Sequence, residues 1–128
     1  MFHTNESKHE YRFGDNGPKY LARGPRSDFG VVVLQPGQDF QAHKHARIEE
    51  AFFTIEGEVH LYLDGECHVL KKGDYIRCDP DEVHYVVNKG DVPWKAVFVK
   101  APYDPKDGVS VDWKPEEESH IGPPNPRI

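Results

Sequence analysis

Two cysteines, Cys67 and Cys78, are all that a chain of 128 residues contains. A disulfide framework of the kind that staples small secreted domains needs more, and the two thiols do not stand at the short spacing of a zinc-binding pair. Both are read as reduced strand residues. Long apolar runs are missing as well. Hydrophobic residues make up 37% of the chain and charged residues 30%, and nothing approaches the ~20 consecutive apolar positions of a membrane-spanning helix. The stretch from Met1 to Lys8 lacks the apolar core of a secretory signal and the basic bias of a transit peptide. The expectation is a soluble, cytoplasmic chain with no membrane partner. Basic excess is also lacking: 16 Lys and Arg stand against 22 Asp and Glu, a formal charge of −6, with no local basic segment. No nucleic-acid partner is therefore expected. Amphipathic helices are absent too, because 11 Gly and 11 Pro interrupt every helical period within a few residues.

What remains is a succession of short β-favouring runs. From Asp28 to Tyr103, segments rich in Val, Ile, Phe, Tyr and Thr alternate with turn dipeptides, the spacing of an all-β sandwich or barrel. The runs are Phe29 to Leu34, Phe40 to His45, Ala51 to Ile55, Val59 to Leu63, Cys67 to Leu70, Tyr75 to Cys78, Val83 to Val87 and Trp94 to Ala101. Asp64-Gly65 suits a type I′ hairpin turn, whose two central residues both take positive φ. At this length a single domain is expected. Its organisation is read as an N-terminal arm with at most one edge strand over residues 1–26, a barrel over 27–103, and a Pro-rich tail over 104–128. Neither end looks like core. Val109 to Trp113 is a candidate last edge strand, and Pro123 to Pro126 is expected to be extended or disordered.

The chemistry gathers in one constellation. His43 and His45 flank Lys44 in a β-run, so strand alternation points both imidazoles one way and Lys44 the other. Glu49 and Glu50 open the next run, and His84 opens a distant one that a closed sheet can bring alongside. Three imidazoles and one carboxylate suit a borderline divalent ion such as Fe, Mn, Ni, Co or Zn. Octahedral coordination by four such donors leaves two adjacent positions for a substrate. A purely structural metal fits less well, because structural sites favour closed thiolate-rich tetrahedra and this set holds no cysteine.

Gly37, His43, His45, Glu50 and Gly57, followed by Gly73, Asp74, His84 and Asn88, resemble the two motifs of the cupin superfamily in residue type and spacing. The resemblance covers residues 28–103. One departure stands in the middle of the second motif, where a Pro-x-Gly is usual and this chain has Asp79-Pro80-Asp81, with Asp81 at the common glycine position. The resemblance implies a double-stranded β-helix, or jelly-roll, barrel of the small single-domain type, commonly dimeric. It implies His43, His45, Glu50 and His84 as metal ligands, and it favours Glu50 over Glu49. Alternation then turns Phe52 and Thr54 inward with Glu50, and Val86 and Asn88 inward with His84, as candidate substrate-facing residues. Asn88 reads better as a hydrogen-bonding support than as a ligand. Tyr75 and Arg77 share one face of their run, and if that face is the inner one they supply an acid and a cation beside the metal. His60 and His68 are read as solvent-facing beside a core set of Val59, Leu61, Leu63 and Val69.

The expected function follows from the open ligand set. It is a metal-dependent enzyme acting on a small polar hydroxy-carbonyl substrate, such as a sugar or sugar acid, by isomerisation, elimination or decarboxylation. An Fe(II)-dependent dioxygenase and a non-catalytic small-metabolite-binding module are the alternatives. A homodimer is expected, since the strand edges of an open jelly roll need covering.

Overall fold

Turn residues every few positions and no helical period leave the backbone to satisfy itself in ladders, and ten strands carry almost all the regular structure of the computed structural model, which describes residues 1–115. They are β1 (Gly17–Arg23), β2 (Asp28–Leu34), β3 (Asp39–Lys44), β4 (Glu49–Glu56), β5 (Val59–Leu63), β6 (Glu66–Leu70), β7 (Tyr75–Cys78), β8 (His84–Val87), β9 (Trp94–Ala101) and β10 (Val109–Ser110). A single 3₁₀ turn, Glu6–Lys8, precedes them, and the Asn5 side chain caps it by accepting the Ser7 N–H. Among the described residues no helix is long and apolar enough to cross a membrane.

Two five-stranded antiparallel sheets face each other, ordered β1-β2-β9-β4-β7 and β10-β3-β8-β5-β6. The chain passes from one sheet to the other at β2–β3, β3–β4, β4–β5, β6–β7, β7–β8, β8–β9 and β9–β10, which is the winding of a double-stranded β-helix. The Asp64-Gly65 turn has φ of 48° and 86°, the pair of positive values a type I′ hairpin requires. At Gly57 the constraint is contact as well as φ, because a Cβ there would lie 2.2 Å from the Pro93 carbonyl oxygen.

Alternation along each strand fills the space between the sheets with Val32, Leu34, Phe40, Phe52, Val59, Leu61, Leu70, Cys78, Val86, Trp94, Ala96 and Phe98, all buried. Val69, expected in this set, is exposed instead. It is paired with His60 on the outer side of the hairpin, whereas His68 lies opposite inward Leu61. Buried Cys78 has its thiol pushed up by desolvation and stays protonated, and Cys67 is exposed, so both are free thiols.

The two ends contribute more than their composition suggests. β1 pairs with β2 from Gly17↔Val33 to Arg23↔Asp28 and extends the first sheet. At the other end β10 pairs with β3, and the chain then lays Val111 and Trp113 over the outside of the second sheet, against Ala42, Tyr62, Tyr85 and Val87. The Trp113 ring lies 5.8 Å from that of Tyr62 and 6.1 Å from that of Tyr85. Tyr85 also donates a short hydrogen bond to buried Asp39. The expectation that neither end joins a core is thus corrected, because a polar tail carrying one large aromatic still packs that aromatic, half-buried, where a sheet face offers a tyrosine pair. Pro123 to Pro126 lie outside the described residues.

Candidate metal centre

The four residues His43, His45, Glu50 and His84 come together where the two sheets meet. His43 and His84 are register partners on β3 and β8, His45 follows directly after β3, and Glu50 reaches in from β4 of the other sheet. One potential ligand atom from each lies within 4.8 Å of the others. The three Nε2 atoms stand 3.6, 3.3 and 3.1 Å from the same carboxylate oxygen, Glu50 Oε1, for His43, His45 and His84 in turn. Neighbouring Glu49 is exposed and Glu50 is only 2% exposed.

The far side of each ring fixes which nitrogen is free. Nδ1 of His43 lies 3.0 Å from the Gln41 carbonyl, Nδ1 of His45 2.5 Å from that of Asp107, and Nδ1 of His84 3.4 Å from that of Glu82. A carbonyl and a carboxylate both only accept, so each ring has an acceptor on either side, and the neutral tautomer that donates Nδ1–H to its carbonyl turns an Nε2 lone pair toward the centre. Lone pairs converging on an anion repel unless a cation lies between them. The donor set therefore fits a divalent ion held by three neutral imidazoles and one carboxylate, with backbone carbonyls orienting the rings.

In the other protonation state, with the proton on Nε2, the rings donate to Glu50 instead. Burial alone would raise the Glu50 carboxyl, but hydrogen bonding to His43, His45 and His84 and the charge of Lys100 hold it well below the usual carboxylate range. Burial, with the neighbouring His43, lowers His84 and keeps it neutral. His45 is also opposed by burial, yet its contacts with Glu50 and the Asp107 carbonyl leave it raised.

Two residues outside the cluster hold His45 in place. The Asp107 carboxylate accepts the backbone N–H groups of Ala46, Arg47 and Ile48 at 2.7, 2.7 and 2.9 Å, and its own carbonyl takes the His45 ring. Asp81 donates its N–H to the His45 carbonyl at 2.7 Å. Its φ of 69° explains why glycine is common at that position, and aspartate is among the residues that tolerate this conformation best.

Of the candidate substrate-facing residues, Phe52 lines the cavity beside the cluster. Thr54, Val86 and Asn88 do not. Thr54 accepts the Trp94 indole N–H at 3.0 Å deep in the core, and Val86 packs within that core. Asn88 donates to the Leu34 and Val92 carbonyls and accepts the Gly90 N–H, which ties the turn before β9. Tyr75 and Arg77 face outward. Arg77 lies opposite Ala51 on the outer side of β4 and pairs with Asp79 at 2.7 Å, and Tyr75 is 62% exposed. The conditional role for these two is corrected by parity: Cys78 and Ile76 are the inward members of β7.

The cation and the phenol beside the cluster are instead Lys100 and Tyr20, which sequence reasoning missed. Lys100 donates to the Tyr20 hydroxyl at 2.8 Å. Burial would lower the ammonium, but the charge of Glu50 and the contact with Tyr20 leave it raised. The signal was present in β9, where Trp94, Ala96 and Phe98 alternate inward and Lys100 continues their phase. The cavity measures about 310 Å³. Val32, Phe40, Phe52 and Phe98 form its apolar part, Tyr20, Lys100, Arg12 and Arg23 another wall, and Pro105 to Ser110 a third.

A jelly-roll barrel that gathers three histidines and a glutamate from both motif regions defines a class of proteins with a candidate metal centre inside the sheet sandwich. This chain belongs to the cupin family, whose domain model matches residues 30–100. An uncharacterised protein of Methanocaldococcus jannaschii is 31% identical over 82 residues, covering 64% of this chain and 66% of that one. Quercetin 2,3-dioxygenase of Bacillus subtilis is 31% identical over 78 residues, covering 58% of this chain and 23% of that one. The chain thus spans just under two-thirds of the first relative and about a quarter of the second. Among solved structures, a double-stranded β-helix protein of Klebsiella pneumoniae aligns with a TM-score of 0.75 at 23% identity, over 88% of this chain and 99% of that one. The nucleoside dehydratase Pac13 aligns at 0.71 and 20% identity, over 95% and 98%. A sugar phosphate isomerase of Silicibacter pomeroyi aligns at 0.65 and 24% identity, over 76% and 67%. These likenesses show the shared fold.

Proposed function

We propose that the chain binds one divalent first-row metal ion through His43, His45, Glu50 and His84, and that it is an enzyme converting a small hydroxy-carbonyl substrate by isomerisation, elimination or decarboxylation. The observation that carries this reading is the convergence of three imidazole Nε2 atoms and one buried carboxylate oxygen beside a cavity of about 310 Å³. A bound ion of this kind supplies Lewis-acid polarisation of a carbonyl or hydroxyl oxygen. The chain's own residues supply the rest. Phe40, Phe52 and Phe98 exclude water from one side of the cavity, and the Lys100 ammonium, hydrogen-bonded to the Tyr20 hydroxyl, can give a proton to an oxygen held between them. The names of the dehydratase and isomerase that share the fold support proton-transfer chemistry of this class. The likeness to a quercetin 2,3-dioxygenase supports a second reading, an Fe(II)-dependent dioxygenase on the same ligands.

Elemental analysis of the purified chain tests the site. The expected result is close to one divalent ion per chain, falling to a small fraction in His43→Ala with the circular dichroism spectrum retained. Unchanged metal content in that variant overturns the assignment. Oxygen consumption that depends on iron and on substrate separates the dioxygenase from the isomerase or lyase, and tight metabolite binding without turnover by either assay identifies a binding module. A homodimer is part of the same proposal, supported by the apolar outer face of the first sheet, where Phe29, Phe53 and Val99 are exposed.

A further inference from the structure

We infer that this cavity takes an anionic ligand, a small molecule bearing a carboxylate or phosphate group that Arg12, Arg23 and Lys100 hold on the wall formed by Tyr20. The inference deepens the proposed function by naming the charge class of its substrate, and it rests on that reading only for what the far end of the ligand touches.

Three cations gather round one aromatic ring. The Arg23 guanidinium lies 4.2 Å from the centre of the Tyr20 ring, Lys100 Nζ 5.4 Å and the Arg12 guanidinium 5.9 Å. All four residues line the cavity, and Lys106 adds a fourth cation from the opposite segment. In a chain of formal charge −6, this concentration of positive charge runs against the overall field. Like charges held this close repel, and the face of one phenol offsets only part of that repulsion.

The carboxylates that could neutralise them are engaged elsewhere. Among the described residues neither Arg12 nor Arg23 forms an ion pair, whereas Arg47 and Arg77, outside the cavity, are matched to Asp104 and Asp79. Of the two acids in the cavity lining, Glu50 is bound up with the three histidines, and the Asp107 carboxylate accepts three backbone N–H groups. Asp28, buried near Lys100, accepts the Gly24 N–H at 3.1 Å. The wall therefore presents charge-assisted donors with no acceptor for the guanidinium pair among the described residues. Guanidinium groups suit the planar, multiply accepting oxygens of a carboxylate or phosphate.

Calorimetric titration of the full chain, both nickel-loaded and metal-free, tests this with glycolate, inorganic phosphate and the neutral analogue glycolamide. Glycolate or phosphate is expected to bind the loaded chain at least tenfold more tightly than glycolamide. The double variant Arg12→Gln/Arg23→Gln should weaken the better anion by about tenfold or more, the scale of a lost charge-assisted hydrogen bond. Both arginines are exposed, so metal content and melting temperature should stay those of the unsubstituted chain. The tighter of the two anions identifies the group as carboxylate or phosphate. Equal binding of glycolamide overturns the inference. So does an anion preference indifferent to the two arginines, which places the anion on the metal instead. Should the chain take up no metal, arginine-dependent phosphate binding to the metal-free protein still supports the anionic wall and leaves only the metal reading defeated.

Discussion

Asp107 positions His45 without belonging to the cluster of four candidate ligands. Its carboxylate closes the backbone of residues 46–48 and its carbonyl orients the ring of His45, so one residue fixes both the loop and the imidazole. Replacing Asp107 by Ala keeps that carbonyl but releases the three N–H groups that hold the segment carrying His45, and should loosen metal binding by about tenfold, the lower end of the range for partners that support a metal ligand, read as the competition constant against a chelator. The same residue carries a pH signature. Burial opposes its ionisation, but the three N–H donors outweigh that and hold its carboxyl below the ordinary value of 3.8. A folded pKa below the unfolded one means stability that is complete above about pH 4 and is lost as pH falls through the folded value. Acid unfolding of Asp107→Ala should accordingly start from a lower plateau and show a shallower loss below pH 4, and identical acid limbs would contradict the role. The four clustered residues were legible in the sequence because residue type and spacing both constrain them: His43 and His45 two apart, Glu50 seven before Gly57, His84 eleven after Gly73. Tyr75 and Arg77 were not, because a four-residue strand shows which residues share a face but not which face the neighbouring sheet covers. Asp107 was invisible for a different reason: its role is set by the return of the chain after β9, which no local pattern encodes.

At the level of whole strands, β1, β2 and β9 build the cavity wall together. Tyr20, Gly30 and Phe98 stand in one row across the three, and the Tyr20 and Phe98 rings meet edge to face with centres 5.1 Å apart over the glycine. A Cβ on Gly30 would come 2.4 Å from the Lys19 carbonyl oxygen and 2.7 Å from the Phe98 ring. Gly30→Ala should destabilise the fold by about 1–3 kcal/mol through overpacking, measured by denaturant unfolding, and should shift the ring whose hydroxyl holds Lys100. A variant as stable as the parent would show that the sheet accommodates the methyl and that the row is not tightly set. Most strands could be placed from the sequence to within a residue or two, because β-branched runs alternate with Gly, Pro and Asp turns. The irregular steps could not. The register shift in β3 between Phe40 and His43, which sets the phase of the two histidines against His84, depends on pairing with β8 rather than on anything in β3 itself.

For the molecule as a whole, the two outer sheet faces differ in what covers them. The second sheet is overlaid by the chain's own Val111 and Trp113. The first carries an apolar strip with no such cover from the described residues: Phe53 lies beside Tyr75 on β7 and Val97 on β9, and Val99 lies beside Phe29 on β2 and Ala51 on β4. Phe29, Phe53 and Tyr75 are 40%, 43% and 62% exposed. A contiguous strip of large apolar side chains on a sheet face is a site for association, and a second copy of the same strip is self-complementary under two-fold symmetry. If this face forms the dimer, a charge at its centre introduces two like charges facing each other across the axis. Phe53→Glu should then convert the assembly from two chains to one at micromolar concentration, measured by light scattering. Phe53 points away from the cavity, and the metal content should remain that of the parent. A parent that is already monomeric at that concentration would eliminate the dimer, and a variant that stays dimeric would move the interface to another face. Either result leaves the interior cluster untouched, because Glu50 and Phe53 alternate to opposite faces of β4 and the three histidines come from the other sheet.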